Sequence, residues 1–94
     1  MKICKYEIEI KGETSLNLPV GAKILTVQIQ HNIPVLWAIV DLDEVKKETR
    51  VFVLFGTGYE INHDIDLLNY IGTYQLYKGA FVGHLFELTN KNYS

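Results

Sequence analysis

Hydrophobic and polar residues alternate along much of the chain with a period of two. In residues 2–11, Cys4, Tyr6 and Ile8 share one face, while charged residues occupy most of the other. Residues 22–31 repeat this arrangement, with apolar side chains opposite threonine and glutamine. Such alternation is typical of strands that bury one face and expose the other. The chain is therefore predicted to be rich in antiparallel β-structure.

Two later segments differ because both of their faces are apolar. Residues 35–43 carry Val35, Trp37 and Ile39 on one face and other aliphatic residues on the opposite face, and residues 50–55 read RVFVLF. A chain this short, with no substantial helix, has little of its own to cover a second apolar face. Either the sheet curls back on itself or a second subunit provides the cover. On this ground we expect a homo-oligomer, a dimer or a higher even assembly.

Turn-forming residues separate these segments. A connection is expected around residues 32–34, with Pro34 at the turn or at the first position of the next strand, because proline cannot donate to a sheet. The charged residues 44–49 are expected to form a solvated hairpin tip. Residues 59–68 are expected to be an irregular loop with a short helical turn at 64–68.

No window of the chain shows a sustained period of 3.6 residues, so a helix-rich fold is disfavoured. The predicted fold is all-β and mainly antiparallel, a small β-sandwich or barrel of about six strands with at most a short helical turn. A single domain is expected over residues 1–88, followed by a polar tail over residues 89–94.

Composition narrows the class of partner. The chain has 94 residues, 48% of them hydrophobic, and a net charge of −2. It therefore lacks the positive charge that binding to duplex nucleic acid requires. No apolar run approaches the roughly 20 residues of a membrane helix, and the charged, alternating N-terminus differs from a signal peptide. The single cysteine, Cys4, precludes an intramolecular disulfide. A cytoplasmic protein is expected.

Candidate catalytic and metal sites each have a simpler explanation. His63, Asp64 and Asp66 are metal-ligand types, but their spacing matches no closed motif and a solvated loop is the preferred interpretation. Cys4 is expected to behave as a buried small hydrophobe. Asp41 and Asp43 share one face of a predicted strand and suit acid–base chemistry, yet they adjoin the charged hairpin tip. No catalytic residue, metal or cofactor is therefore predicted, and the protein is expected not to be an enzyme.

Ligand binding has more support. The GTG run at Gly56 ends a strand, as phosphate-binding loops do, although no helix and no Walker lysine follow. His84 lies in phase with apolar strand residues, which favours a core histidine, while its neighbour Gly83 leaves space. Aromatic residues near Arg50 or Lys5 would provide a stacking platform with a cation for a phosphate.

Six ordered blocks give a resemblance over nearly the whole chain, except the charged tip and the polar tail. They are KY at Lys5, LPVGAKILTVQIQ from Leu18, LWAIVD from Leu36, GTG at Gly56, YIGT from Tyr70 and VGHLFEL from Val82. Together they resemble a family of short β-rich proteins carried by tailed phages and prophages. Small oligomeric phage proteins of similar size include sponges, which bind host cyclic-nucleotide signals and withhold them from defence effectors.

The resemblance implies a non-enzymatic protein of the host bacterial cytoplasm that sequesters a cyclic oligonucleotide defence signal. Stacking on aromatic rings and phosphate contacts from cations and main-chain N–H groups would provide the affinity, although Arg50 is the only arginine. The expected ligand-binding residues are Lys5, Trp37, Arg50, Thr57, Tyr59, Thr73 and His84.

Two alternatives stay open. One is a structural accessory protein that docks on a larger partner through the apolar face of Val35, Trp37 and Ile39. The other is a small hydrolase using Asp41, Asp43 or His84.

Overall fold

The computed structural model describes residues 1–10 and 12–89, which form seven strands in two antiparallel sheets. The strands are β1 (Lys2–Glu7), β2 (Glu13–Pro19), β3 (Lys23–Gln30), β4 (Ile33–Val40), β5 (Lys47–Gly56), β6 (Leu68–Leu76) and β7 (Phe81–Leu88). One sheet has the order β1-β4-β3 and the other β2-β5-β7-β6. Short 3₁₀ turns occur at Ile65–Leu67 and Tyr77–Gly79. The all-β antiparallel class is confirmed, with seven strands instead of about six.

The sheets pack face to face around one core. The inner faces contribute Leu36, Ala38 and Val40 from β4 and Phe52 from β5, all at most 1% exposed. Of the predicted polar tail, residues 90–94 lie outside the described residues. Thr89, which was assigned to the tail, donates its N–H to the carbonyl of Leu67. No helix in the described ranges is long and apolar enough to cross a membrane.

Edge strands β3 and β6 lie side by side and join the two sheets along one side. A methyl group on Gly72 of β6 would lie 3.0 Å from Cγ1 of Val27 in β3. Both strands carry a register irregularity here, after Ile24 in β3 and after Tyr70 in β6. A side chain here would have to push the Val27 side chain aside by a few tenths of an ångström, so the close approach of the two strands favours glycine.

The turn between β3 and β4 lies earlier than predicted. His31 and Asn32 both have positive φ, 53° and 64°, as in a two-residue type I′ hairpin. β4 therefore begins at Ile33, and Pro34 is its second residue, whose carbonyl accepts a hydrogen bond from Ile8 N–H at 3.1 Å. The charged connection also lies three residues earlier than predicted, at residues 41–46, because β4 ends at Val40 and β5 begins at Lys47.

The apolar face of β4 that carries Val35, Trp37 and Ile39 was expected to need a second subunit to cover it, but it is largely buried within one chain. Val35 is 2% exposed, and Trp37 and Ile39 are half-buried. On β5, both faces are buried, because Val53 and Phe55 are 1% and 9% exposed.

The connection between β5 and β6 explains part of this cover. Both strands are antiparallel to β7, which lies between them, so residues 57–67 must cross β7. The ring of His63 contacts Phe55 edge-on at 5.6 Å, which places the crossing on the outer face of the four-stranded sheet. Self-association stays a prediction, with less uncovered apolar surface to support it than the sequence suggested.

Candidate functional site

A polar cluster lies on the outer face of the four-stranded sheet, where β5 ends. The strand register places His84 of β7 between Phe55 of β5 and Thr73 of β6. Thr57 follows β5 directly, and its N–H donates to the carbonyl of Val82 at 3.2 Å. The turn after β5 and the pairing of β7 with β6 thus bring three predicted ligand residues, Thr57, Thr73 and His84, to one place.

Four side chains in this cluster form a continuous chain of hydrogen bonds. Thr57 Oγ1 lies 2.7 Å from His84 Nε2, and His84 Nδ1 lies 3.0 Å from Thr73 Oγ1. Thr73 Oγ1 in turn lies 2.6 Å from the hydroxyl of Tyr70. Thr57, Tyr70 and Thr73 are exposed, and His84 is half-buried. We call these four residues the His84 cluster.

The hydrogen-bond partners determine what the His84 cluster can do. A hydroxyl both donates and accepts, so the two threonines fit either tautomer of the imidazole. Within the described ranges no carboxylate contacts either ring nitrogen, so the orienting acid of a hydrolytic triad is missing from the cluster. The arrangement provides several adaptable donors and acceptors at the surface, which suits recognition of a polar ligand.

Aromatic rings lie beside these polar groups. Phe86 contacts Tyr70 at 5.5 Å and Phe55 at 5.9 Å, both edge-on. Tyr70 is 62% exposed, so much of its ring is open to solvent although it contacts Phe86. A planar group bound next to the polar chain would find a stacking surface on this ring.

Tyr70 was not among the predicted ligand residues. In a regular strand, residues three apart point to opposite faces, so alternation separates Tyr70 from Thr73. The irregularity between Tyr70 and Gly72 shifts the register by one residue and returns both side chains to the same face. The one available signal was Gly72, because glycine inside a strand often marks a bulge.

Arg50 is engaged in hydrogen bonds away from the His84 cluster, so its predicted role in ligand binding stays a prediction that this geometry does not favour. Its Nε and Nη2 donate to the two oxygens of Glu87 at 2.5 and 2.8 Å, and Nη1 donates to the carbonyl of Ala22 at 2.7 Å. The hydrogen bond to Glu87 raises the pKa of Arg50 above its ordinary value. Arg50 points to the same, inward side of the sheet as Phe52. It also lies five residues, or about 16 Å of strand, before Phe55, the residue that pairs with His84.

Lys5 and Trp37 are brought together, but on the other sheet. They are directly opposite in the β1–β4 pairing, on the face of β4 that points away from the core. Lys5 Nζ donates to Gln30 Oε1 at 2.6 Å. Trp37 Nε1 is buried and has no hydrogen-bond partner among the described residues. These two residues therefore belong to a surface separate from the His84 cluster.

Tyr59 lies on the opposite side of the β5 end from His84. Its N–H donates to the carbonyl of Gly56 at 3.0 Å, and its ring lies against the inward side of that glycine. Tyr59 is 64% exposed. Tyr59 lines a pocket that is separate from the His84 cluster.

The alternative catalytic pair is not built as predicted. β4 ends at Val40, so Asp41 and Asp43 lie in the following connection and not on a strand. Asp41 Oδ1 accepts a hydrogen bond from Asp43 N–H at 3.0 Å, which is a local turn.

The loop acids and Cys4 show no catalytic arrangement. Asp64 Oδ1 accepts from Asp66 N–H at 3.0 Å, while His63 packs on Phe55. Within residues 1–10 and 12–89 no group of three metal-ligand side chains converges. Cys4 is half-buried on the inward face of β1 and contributes to core packing.

The chain is a small β-sandwich domain. On its surface it carries a cluster of side chains that are hydrogen-bonded to one histidine, His84. The chain matches, over residues 1–94, the family described as a domain of unknown function, DUF7352, and it belongs to that family. No curated protein matches the chain. No solved structure matches it either.

Proposed function

We propose that this domain is a non-enzymatic binding protein for a nucleotide-like ligand, one that combines a planar ring with a phosphate. The observation that carries the proposal is the hydrogen-bonded chain from Thr57 through His84 and Thr73 to Tyr70. It places three exposed hydroxyls and an imidazole beside an aromatic ring that is largely open to solvent. Polar donors next to a stacking surface are the two features that nucleotide sites combine.

The ligand would bind in two parts. Its phosphate would accept hydrogen bonds from the hydroxyls of Thr57 and Thr73 and from His84, while its base would stack on Tyr70. Stacking of one base contributes about 1–3 kcal/mol. Because Arg50 is paired with Glu87, phosphate binding would rest on hydroxyls and imidazole instead of a guanidinium fork.

The narrower form of the proposal is sequestration of a cyclic oligonucleotide defence signal by a phage or prophage protein in the bacterial cytoplasm. Two points support it. The sequence resembles a family of phage and prophage proteins, and within the described ranges no carboxylate contacts the His84 ring. Binding without turnover is what sequestration requires. A homo-oligomer would present several His84 clusters, one for each subunit, which suits a ligand with repeated nucleotide units.

The alternative of docking on a larger protein through Val35, Trp37 and Ile39 has less support. Val35 is 2% exposed in the single chain, so that face offers only two half-buried side chains.

Calorimetric titration with cyclic di-AMP, cyclic tri-AMP and AMP tests the proposal. Replacing Thr73 by valine keeps the side-chain shape and removes the central hydroxyl of the cluster, so we expect affinity to fall by about tenfold or more. Thr49→Val is the matched control, because Thr49 is also an exposed strand threonine, with its hydroxyl on Asn17 at 2.7 Å.

Turnover is measured on the same samples. The ligand recovered after incubation should be intact by chromatography. Failure of all three compounds to bind at millimolar concentration, or equal affinities for the two valine variants, would refute the proposal.

A further inference from the structure

A second pocket lies on the inward side of the β5 end, separated from the His84 cluster by the sheet itself. Its volume is about 290 Å³, and it is lined by Ile10, Gly12, Leu54, Gly56, Tyr59 and Phe81. This volume is near the lower end of the range for small-molecule sites. We call it the Tyr59 pocket.

The lining of the Tyr59 pocket is apolar and aromatic. Among the residues that the structure describes, the phenol of Tyr59 is the one ionisable group in the lining. A methyl group on Gly56 would lie 2.9 Å from Cε1 and Cζ of Tyr59, so the glycine is what lets this ring form one wall. Phe81, half-buried at the start of β7, provides a second ring. The pocket therefore suits a flat, uncharged group.

One buried polar atom lies near this apolar lining. Tyr74 is 5% exposed, and its hydroxyl has no hydrogen-bond partner within the described part of the chain. A methyl group on Gly83 would lie 2.9 Å from Tyr74 Cζ, 3.0 Å from Leu54 Cδ1 and 3.1 Å from Phe81 Cε2. The hydroxyl-bearing end of Tyr74 therefore lies close to Leu54 and Phe81, two of the side chains that line the pocket.

An unpaired buried hydroxyl costs free energy, and a group that pairs with it recovers that cost. Burial also raises the pKa of Tyr74 to about 12, so the phenol keeps its proton and is a donor at neutral pH. Phe81, which lines the pocket, also packs against Tyr74 at a ring distance of 6.4 Å, so the buried phenol is a direct neighbour of the pocket wall.

We propose that the Tyr59 pocket binds a small, uncharged aromatic molecule that carries one hydroxyl or carbonyl group. The ring lies between Tyr59 and Phe81, and the polar group accepts a hydrogen bond from Tyr74. This site is independent of the His84 cluster, which is polar and lies on the other face of the sheet.

Phenol and toluene test the proposal, because they match in shape and differ by a hydroxyl in place of a methyl. In amide NMR titrations, phenol should shift the signals of Gly12, Leu54 and Gly56 saturably. Its affinity should exceed that of toluene by about threefold to tenfold, which is the value of one neutral hydrogen bond.

Tyr74→Phe removes the buried hydroxyl without changing the ring, and it should abolish the preference for phenol or reverse it, because the phenol hydroxyl then has no partner. Tyr77→Phe is the control, because Tyr77 is 68% exposed in the neighbouring turn and should keep the preference for phenol. No saturable shift at the pocket with phenol, or a preference that survives in Tyr74→Phe, would overturn the proposal. Neither result would bear on nucleotide binding at the His84 cluster.

Discussion

Substitution of Gly83 by alanine tests the packing between the two sheets. Gly83 is buried in β7, and its added methyl group would meet Tyr74 Cζ at 2.9 Å, Leu54 Cδ1 at 3.0 Å and Phe81 Cε2 at 3.1 Å. Tyr74, which holds the nearest of these atoms, is 5% exposed and does not line the Tyr59 pocket, so its ring has little room to move away. The variant must therefore displace packed core atoms.

The expected cost follows from two opposing effects. Overpacking a filled core costs about 1–3 kcal/mol. Alanine restricts the unfolded chain more than glycine does and returns about 0.4–1 kcal/mol. We therefore expect Gly83→Ala to lower the free energy of unfolding by about 1 kcal/mol, and by at most about 2.6 kcal/mol, which corresponds to a Tm lower by roughly 5–20 °C in a domain of this size.

Gly56→Ala is the matched control. Its added methyl group would also lie 2.9 Å from its nearest atoms, but these belong to the ring of Tyr59, which is 64% exposed and free to swing into solvent. Urea denaturation of both variants should show a loss of stability in Gly83→Ala and a change within about 0.5 kcal/mol in Gly56→Ala. Equal stabilities of the two variants would refute the packing derived for β7.

Three further predictions concern single side chains. Arg50→Met should lower the free energy of unfolding in urea denaturation by about 1–3 kcal/mol, because two charge-assisted hydrogen bonds to Glu87 are lost. The same variant should bind the ligand in calorimetry with unchanged affinity. A variant with wild-type stability and lower affinity would contradict this prediction. The pKa of Tyr74, raised to about 12 from 10.0, makes the folded state hold a proton that the unfolded state releases, so stability should fall as pH rises from 10 to 12. Tyr74→Phe should remove that component, at most about 1.4 kcal/mol per pH unit, in urea titrations across this pH range, and an unchanged slope would contradict the burial of this phenol. Asn32→Val should cost about 1–3 kcal/mol, because a β-branched residue strains at a φ of 64°, while Asn32→Gly should not lower the denaturation midpoint.

The alternation of side chains was enough to predict the class of fold. It placed Val82, His84, Phe86 and Leu88 on one face of β7, and the strand pairing agrees with that face. It also showed that residues of β4 and β5 are apolar on both sides. It did not show what covers them, because the crossing of residues 57–67 over β7 depends on the order of strands in the sheet.

The grouping of Thr57, Thr73 and His84 was predictable from strand ends, whereas the positions of Arg50 and Tyr70 depend on which face of the sheet each side chain occupies. Thr57, Thr73 and His84 meet because a turn and a strand pairing bring them together. Arg50 lies two residues before Phe52 and therefore points to the same, inward face of β5. This spacing was visible in the sequence and argued against a role for Arg50 in binding a ligand at the surface. Tyr70 joins the cluster through a bulge, which alternation alone does not reveal.

The most direct test of the central claim, ligand binding at the His84 cluster, is an NMR titration of the ¹⁵N-labelled imidazole of His84 with cyclic di-AMP. Both ring nitrogens are hydrogen-bonded to threonine hydroxyls, so a phosphate that binds there must change their signals. The prediction is a saturable shift of the His84 nitrogens, with the signals of His31, which lies in the β3–β4 turn, unchanged. Saturable binding by calorimetry with no shift at His84 would place the ligand elsewhere and contradict the account.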